Sequence, residues 1–264
     1  MKHALIFGAL LTVGCAGKCG GGVPAPAATG VSLMSEVREK LSQRDAKLKS
    51  YAVESEAQEN GTKAKYRFWY RAPQRMRGEI LEPQALSMSF DGQKLYQLNA
   101  AQKSLTVFEV KLSKEKAALV LTQNFAPFVP EGYRVPLFPS SGTLVTKTTH
   151  SKAAEAVKLT VATKDETGAV ITVEYVLRWP AMDFLEKTTR VDGKITSLRV
   201  DEEQCDEALK LCVPKALSQW NEGAAAGTTR FTSISLNAPV PTDDFVLTAP
   251  EGFTTTAREL VDGQ

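Results

Sequence analysis

Residues 63–110 constrain the fold of this chain more than any other part of its sequence. They form short runs of alternating apolar and polar side chains, and Pro, Asp-Gly and Asn-Ala separate the runs. In the first run Tyr66, Phe68 and Tyr70 alternate with basic residues, which is the period-two pattern of a half-buried strand. Because the breaks are short, the runs predict an antiparallel meander and leave no room for the long crossovers of parallel strands. Large apolar side chains share one face of that sheet, so another sheet, a helix or a ligand must cover it.

Short strands separated by turn signals continue through the second half of the chain, and we expect a single domain over residues 32–264. A helix is predicted to begin at Ser32, and a second one over residues 113–123. Residues 124–139 contain four prolines but are too apolar for a solvated loop. These three segments are the candidates to cover the apolar face.

The N-terminus has the features of an export signal. Two basic residues precede the apolar run 4–13, which is too short to span a bilayer and is typical of a secretory signal. A small residue and then Cys15 follow the run, which predicts a lipoprotein signal peptide over residues 1–14 and lipid on Cys15. The alternative is an ordinary signal peptide with an incidental cysteine. Residues 15–31, rich in Gly, Ala and Pro, are predicted to be a flexible tether.

Cys205 and Cys212 are the only cysteines after the tether. In an oxidising compartment this pair predicts a local disulfide. A metal pair is the alternative, but zinc requires four ligands, and His150 is the only histidine beyond the predicted signal peptide. The disulfide is favoured, and we expect neither a metal nor a cofactor.

The charge pattern argues against a nucleic-acid partner. The chain has 32 basic and 30 acidic residues, a formal charge of +2, and the two kinds are mixed throughout. A nucleic-acid-binding protein would carry a clustered basic stripe.

No group of residues has the pattern of a catalytic site. His150 stands in a polar, turn-like context, and Ser140 lacks the strand–turn–helix flanks and glycine spacing of a nucleophile elbow. The acidic runs at 201–203 and 243–244 lack the alternating acids and central glycine of a calcium loop. We therefore expect a protein that is not an enzyme, and an envelope hydrolase remains the least favoured hypothesis.

Apolar surface is the remaining candidate for function. The strand phases place seven large side chains on what we expect to be one continuous face, the wall of an apolar cavity: Tyr66, Phe68, Tyr70, Ile80, Leu86, Met88 and Phe90. The alternative is that these residues are ordinary core beneath the N-terminal helix.

The order of several weak motifs is similar to that of a known family. Glu82-Pro83, then Asp91-Gly92, then Leu95-Tyr96 and Asn99 resemble the LolA/LolB class of periplasmic lipoprotein carriers and receptors. Residues 244–252 look like the closing strand of that family, and the resemblance covers most of residues 33–256.

The resemblance implies an unclosed antiparallel β-barrel, a half-barrel, in which helices form a lid over an apolar cavity that receives acyl chains. Leu121, Phe125 and Phe128 would then belong to the lid. The carriers of this family hold the lid with an arginine just before the strand-ending proline. Ala72 stands at that position here, so Arg71 is the latch candidate. In the receptors an exposed loop leucine inserts into the membrane, and Leu81, or Leu86 after Pro83, is the candidate for that role.

The leading hypothesis is a lipid-anchored protein on the periplasmic side of a bacterial membrane, with the outer membrane favoured. It would bind acyl chains of lipoproteins or other lipids and act in lipoprotein localisation to the outer membrane. The alternative is a protein-binding envelope sensor or regulatory module on the same half-barrel fold.

Overall fold

The computed structural model describes residues 28–134, 143–164 and 168–261 of the 264-residue chain. The predicted signal peptide, Cys15 and tether residues 15–27 lie outside the described residues. The described residues form α1 (Ala28–Lys47), β1 (Ser50–Glu59), β2 (Thr62–Arg71), β3 (Arg75–Glu82), β4 (Leu86–Phe90), β5 (Lys94–Asn99), β6 (Ser104–Lys111), α2 (Lys114–Phe125), β7 (Thr143–His150), β8 (Ala153–Lys164), β9 (Val170–Arg178), β10 (Phe184–Val191), β11 (Lys194–Asp206), β12 (Leu211–Asn221), β13 (Ala224–Leu236), a 3₁₀ helix (Asp243–Phe245) and β14 (Thr254–Val261).

All fourteen strands of the described residues belong to one sheet, in the order β14-β6-β5-β4-β3-β2-β1-β13-β12-β11-β10-β9-β8-β7. Consecutive strands pair antiparallel from β1 to β6 and again from β7 to β12. The end strands β14 and β7 are not neighbours, so the sheet is unclosed. This architecture confirms the predicted fold class, which is mainly β with few helices on an unclosed antiparallel sheet.

The prediction of a closing strand at residues 244–252 is wrong. This segment contains the 3₁₀ helix and irregular backbone, and the last strand is β14, which pairs parallel to β6. Two local features keep residues 244–252 out of a ladder. Pro250 has no N–H to donate, and the carbonyl of Phe245 accepts a hydrogen bond from the Ser89 hydroxyl at 2.7 Å.

The described residues form two compact units. The first contains those of Met1–Asp45 and Gly132–Ala226, and the second those of Ala46–Glu131 and Gly227–Gln264. In the second unit the Asn60-Gly61 turn joins β1 to β2 with positive φ at both residues, a conformation that Asn-Gly favours in tight hairpins. None of the helices in the described part of the chain is both long and apolar enough to cross a membrane.

Both predicted helices are present, with different beginnings. Helix α1 begins at Ala28 and not at Ser32, so it extends into the predicted tether. The first residue of the helix is Ala28, and alanine has the highest helix propensity. Helix α2 follows Ser113, which occupies the N-cap position without a side-chain hydrogen bond to the helix.

The predicted disulfide is confirmed. Cys205 and Cys212 lie directly opposite each other on β11 and β12, with Cα atoms 4.1 Å apart and a sulfur–sulfur bond. The bond closes the tip of this hairpin in the first unit.

A buried ionic cluster lies beside that hairpin. Arg44 of α1 donates hydrogen bonds to the carbonyls of Tyr133 and Gly132, both at 2.9 Å. Asp183 lies 3.6 Å from the Arg44 Nε and accepts a hydrogen bond from the Cys212 backbone N–H at 3.1 Å. Burial raises the pKa of Asp183 and lowers the pKa of Arg44, and in each case the opposite charge of the partner works against the shift. The cluster ties the end of α1 to the turn at residues 132–133.

Candidate functional site

Strand register brings the predicted wall residues together in the second unit. Cross-strand pairing arranges β2, β3 and β4 in three rows: Tyr70–Met76–Phe90, Phe68–Gly78–Met88 and Tyr66–Ile80–Leu86. Residues directly opposite each other in an antiparallel pair point to the same face. All seven predicted residues therefore share one face, which we call the wall face.

Burial decreases along the wall face from one end to the other. Tyr70 and Phe90 of the first row are buried, and Phe68 and Met88 of the middle row are buried as well. In the third row, all three side chains are only partly buried. Strand β1 extends the buried end, where the Tyr51 ring stacks on Tyr70 with centroids 5.2 Å apart. The wall face is thus closed at one end and partly open at the row of Tyr66.

The predicted lid residues Leu121, Phe125 and Phe128 are all buried, and the Phe125 and Phe128 ring centroids are 6.2 Å apart. Phe128 lies directly on the centre of the middle row, at Gly78. A Cβ atom at position 78 would overlap the Phe128 ring. The missing side chain therefore leaves the space that this ring fills.

Gly78 is a position of the candidate site that the sequence interpretation missed. The signal was present, because a glycine in the interior of a strand often marks a place where another group approaches the backbone closely. The sequence could not show that Phe128, 50 residues away, is that group.

Arg71, the latch candidate, lies on the opposite face of β2 from Tyr70, since neighbouring residues of a strand point to opposite faces. Its guanidinium donates to the Val240 carbonyl at 3.0 Å and to the Thr242 hydroxyl at 2.8 Å. Arg71 therefore holds residues 238–253, which we call the C-terminal arm. Its role as a lid latch stays a prediction.

The C-terminal arm covers the face opposite the wall face. Leu247 of the arm packs with buried Tyr96 and Leu105, and Arg77 donates to the Asp244 carbonyl at 2.8 Å. Burial, helped by a hydrogen bond to Asp91, raises the pKa of Tyr96 to about 12, so its hydroxyl remains a donor at neutral pH. This packing accounts for Asp91 and Tyr96 of the sequence motifs as supports of the sheet.

Leu81, the candidate for membrane insertion, is the extra residue of a β-bulge. Lys65 pairs with Glu82 and Tyr66 with Ile80, which leaves Leu81 without a partner residue on β2. Its exposed fraction is 37 %, and the neighbouring residues 82–85 are exposed too. A bulge re-aims side chains near the end of a strand, and here it leaves an apolar one in solvent.

Of the residues weighed for catalysis, the structure describes His150 and the two acidic runs. His150 lies in the first unit, 3.5 Å from a Glu186 carboxylate oxygen, and Ser140 lies outside the described residues. Within residues 28–134, 143–164 and 168–261, no group of three or more His, Cys, Asp or Glu side chains is arranged to hold a metal ion.

No family model matches the sequence, and no curated protein matches it. Among solved structures, the chain is similar to a candidate outer membrane lipoprotein-sorting protein domain from Vibrio parahaemolyticus, with a TM-score of 0.53 and 10% identity over 83% of this chain and 97% of that one. It is similar to a DUF1329 family protein from Desulfovibrio piger ATCC 29098, with a TM-score of 0.53 and 8% identity over 82% of this chain and 97% of that one. A LolA superfamily protein from Nitrosomonas europaea is also similar, with a TM-score of 0.47 and 9% identity over 80% and 97% of the two chains.

The chain shares its fold with the lipoprotein-sorting protein domain and with the DUF1329 family protein. This likeness confirms the fold that the resemblance implies. At 8–10% identity the likeness concerns the fold alone, so the roles of single residues in this chain rest on its own geometry.

Proposed function

We propose that this LolA-like protein binds acyl chains of lipids or lipoproteins on the wall face, and that it acts by binding and not by catalysis. Its place would be the bacterial periplasm, where lipid on Cys15 would anchor it to a membrane, the outer membrane being favoured. There it would take part in lipoprotein localisation. The observation that carries the proposal is the position of Phe128 over Gly78, because an apolar side chain of the α2 region occupies a slot in an apolar wall.

The proposed binding step exchanges one apolar group for another. An acyl chain enters at the partly open row of Tyr66, Ile80 and Leu86 and displaces the Phe128 ring from Gly78. Each CH₂ group removed from water contributes roughly 0.8 kcal/mol. The apolar contacts of the bound acyl chain offset those that the Phe128 ring loses. Because the two contributions oppose each other, a bound acyl chain can also be released to another apolar site.

Two further features support a role at a membrane. The exposed Leu81 would enter the outer part of a bilayer, and the tether would give the domain reach from its lipid anchor. Under this proposal, substitution of Leu81 impairs transfer of the lipid at the membrane and leaves acyl binding unchanged.

One observation favours a second function. The middle row is nearly closed, since Phe68 is only 1 % exposed beneath the α2 region. If Phe128 stays packed on Gly78, an acyl chain has no room there. The same fold would then be a module that binds a protein partner, as an envelope sensor or regulator does.

A binding titration with the full chain distinguishes the two functions. We expect the wild-type chain to bind cis-parinaric acid, a fluorescent fatty acid. Phe128→Ala opens the slot over Gly78, and we expect it to bind the probe about tenfold more tightly, because an empty apolar cavity accepts apolar ligands. Both affinities are measured by fluorescence at a temperature at which circular dichroism shows each chain to be folded.

Phe245→Ala is the matched control. Phe245 is also a buried phenylalanine, and it belongs to the C-terminal arm on the opposite face of the sheet. Both truncations are expected to lower the free energy of unfolding by about 3–5 kcal/mol, but only Phe128→Ala should tighten binding. Absence of binding by the wild type and by Phe128→Ala would overturn the acyl function. If neither truncated chain folds, Phe128→Leu and Phe245→Leu replace them.

A further inference from the structure

The two edge strands of the sheet differ in how they are protected against pairing with a further strand. Among the described strands, β14 of the second unit and β7 of the first unit have a neighbour on one side only. Bulges and prolines are among the features that prevent further pairing at such an edge. Strand β7 has a register shift between Thr148 and His150. Strand β14 pairs with β6 in unbroken register and contains no proline, so its backbone can accept another strand.

The hydrogen bonds of β14 show which of its backbone groups face away from β6. The Thr254 N–H donates to the carbonyl of Lys103, just before β6, at 2.9 Å. Because the backbone groups of successive strand residues point to opposite edges, those of Thr255, Ala257 and Glu259 point away from β6. These groups have no hydrogen-bond partner within the described part of the chain. We call them the free edge of β14.

Strand β14 carries two charged side chains, one on each face. On one face Glu259 lies 2.6 Å from the Lys111 ammonium, so its charge is compensated. Cross-strand pairing from Phe90 of the wall face through β5 and β6 places Arg258 on the other face. Arg258 is exposed, and among the side chains that the structure describes it has no ion-pair or hydrogen-bond partner. The uncompensated charge beside the free edge is therefore positive.

A second copy of this chain would not compensate that charge. When β14 of one copy pairs antiparallel with β14 of another, directly opposite residues share a face. The side chains of β14 on the wall face are Thr254, Thr256, Arg258 and Leu260. None of them is acidic, so such a dimer would leave both arginines without a partner.

The remaining segments of the chain do not provide an acidic strand either. Residues 1–27 and 135–142, which lie outside the described residues, contain no Asp or Glu. The other two such segments, 165–167 and 262–264, are only three residues long. The charge of Arg258 therefore favours a partner other than this chain.

We propose that the free edge of β14 binds an extended acidic segment of another protein as an additional strand. The backbone of the segment pairs with the outward groups of Thr255, Ala257 and Glu259, and one of its carboxylates pairs with the Arg258 guanidinium. When a peptide adds to a sheet edge, its main-chain hydrogen bonds give affinity and its side chains give specificity. Arg258 supplies the specificity, because it attracts an acidic strand and repels a basic one. The proposal goes beyond acyl binding, and neither function depends on the other.

Fluorescence anisotropy of the full chain with labelled octapeptides tests the charge selection. In one peptide valine alternates with glutamate, and in the other valine alternates with glutamine. We expect the wild type to bind the glutamate peptide about tenfold more tightly, and the preference to shrink as salt is added. Arg258→Gln should abolish the preference and leave the affinity for the glutamine peptide unchanged. Lys94→Gln is the matched control, since this exposed lysine of β5 lies on the opposite face, and it should keep the preference.

A second substitution tests the backbone pairing. Ala257→Pro removes one outward N–H and no hydrogen bond to β6, and proline is tolerated on an edge strand when its nitrogen faces outward. We expect it to weaken the binding of both peptides about tenfold, whereas Ala257→Ser keeps the N–H and should bind like the wild type. If Ala257→Pro does not fold, octapeptides N-methylated at every second residue replace it. Methylation in one of the two alternating sets should then abolish binding to the wild type.

The outcomes that would overturn the proposal are distinct. A wild type that binds the two peptides equally, or binds neither, would exclude an acidic-strand site at β14. An equal loss of preference in Arg258→Gln and Lys94→Gln would show that the selection comes from overall charge. If the wild type binds neither peptide but forms a dimer that Ala257→Pro dissociates in analytical ultracentrifugation, the free edge belongs to a second copy of the chain.

Discussion

Arg44 is 1 % exposed although it carries a charge. It lies three residues after Leu41 and seven after Val37, so position 44 continues the apolar stripe of α1. Its amino groups find two backbone carbonyls, and Asp45 and Asp183 lie on either side of its guanidinium. A buried cation without partners would be strongly destabilising, and this set of partners is what allows the stripe to contain it.

The pKa of Asp183 leads to a prediction for stability against pH. Burial raises this pKa, so the folded chain holds the carboxyl proton more tightly than the unfolded chain does. The resulting stabilisation is fully present below the ordinary pKa of 3.8 and is lost as the pH rises through the raised folded pKa. Asp183→Asn has no such proton. The advantage of the wild type in the free energy of unfolding should therefore shrink as the pH rises above 3.8, as measured by urea unfolding of both chains.

An advantage that grows with pH would contradict this prediction. It would mean that the ion pair of Asp183 with Arg44 outweighs the burial of the carboxyl group.

At the scale of residues, the sequence predicts faces but not contacts over long separations. The alternation of Tyr66, Phe68 and Tyr70 was enough to predict the wall face, because strand geometry fixes it locally. The contact of Phe128 with Gly78 and the burial of Arg44 depend on segments far apart in the chain. Local patterns contain no information about such partners. From the sequence alone, a basic residue within the apolar stripe of a helix is therefore predicted to be exposed to solvent.

At the scale of elements, turn chemistry and periodicity predict the strands well. Strands β1 to β6 follow the expected meander. The predictions are wrong where tertiary packing decides the conformation of a segment. The segment after β13 is held by side-chain hydrogen bonds and buried apolar contacts. Strand β14 pairs in parallel with β6, which lies far from it in the sequence.

The Cys205–Cys212 disulfide belongs to the β11–β12 hairpin. Replacing both cysteines by serine frees the short loop in the unfolded chain, and we expect the free energy of unfolding to fall by about 2 kcal/mol. Denaturant unfolding of the oxidised wild type and of the double variant measures the difference. A reductant should lower the stability of the wild type to that of the variant and leave the variant unchanged. A wild type that reduction does not destabilise would show that the β-ladder alone holds the hairpin.

At the scale of the whole molecule, the order of weak motifs predicted a fold that neither a family model nor a curated relative could supply. The turn and strand motifs stand in a fixed order because that order specifies the meander. Solved structures at 8–10% identity share the fold. The ligand is harder to predict from the sequence than the fold is. A single apolar face is compatible with a protein core, a lipid site or a partner site, and what occupies it must be measured.

The central claim is that the wall face holds acyl chains, and native mass spectrometry of the full chain purified from membranes tests it most directly. We expect the wild type to carry one bound acyl lipid. Ile80→Lys places a charge in the partly open row of the wall face and should carry none. The control Val246→Lys, at an exposed position of the C-terminal arm, should carry lipid like the wild type. A wild-type chain without lipid, which also takes up none when vesicles are added, would contradict the claim.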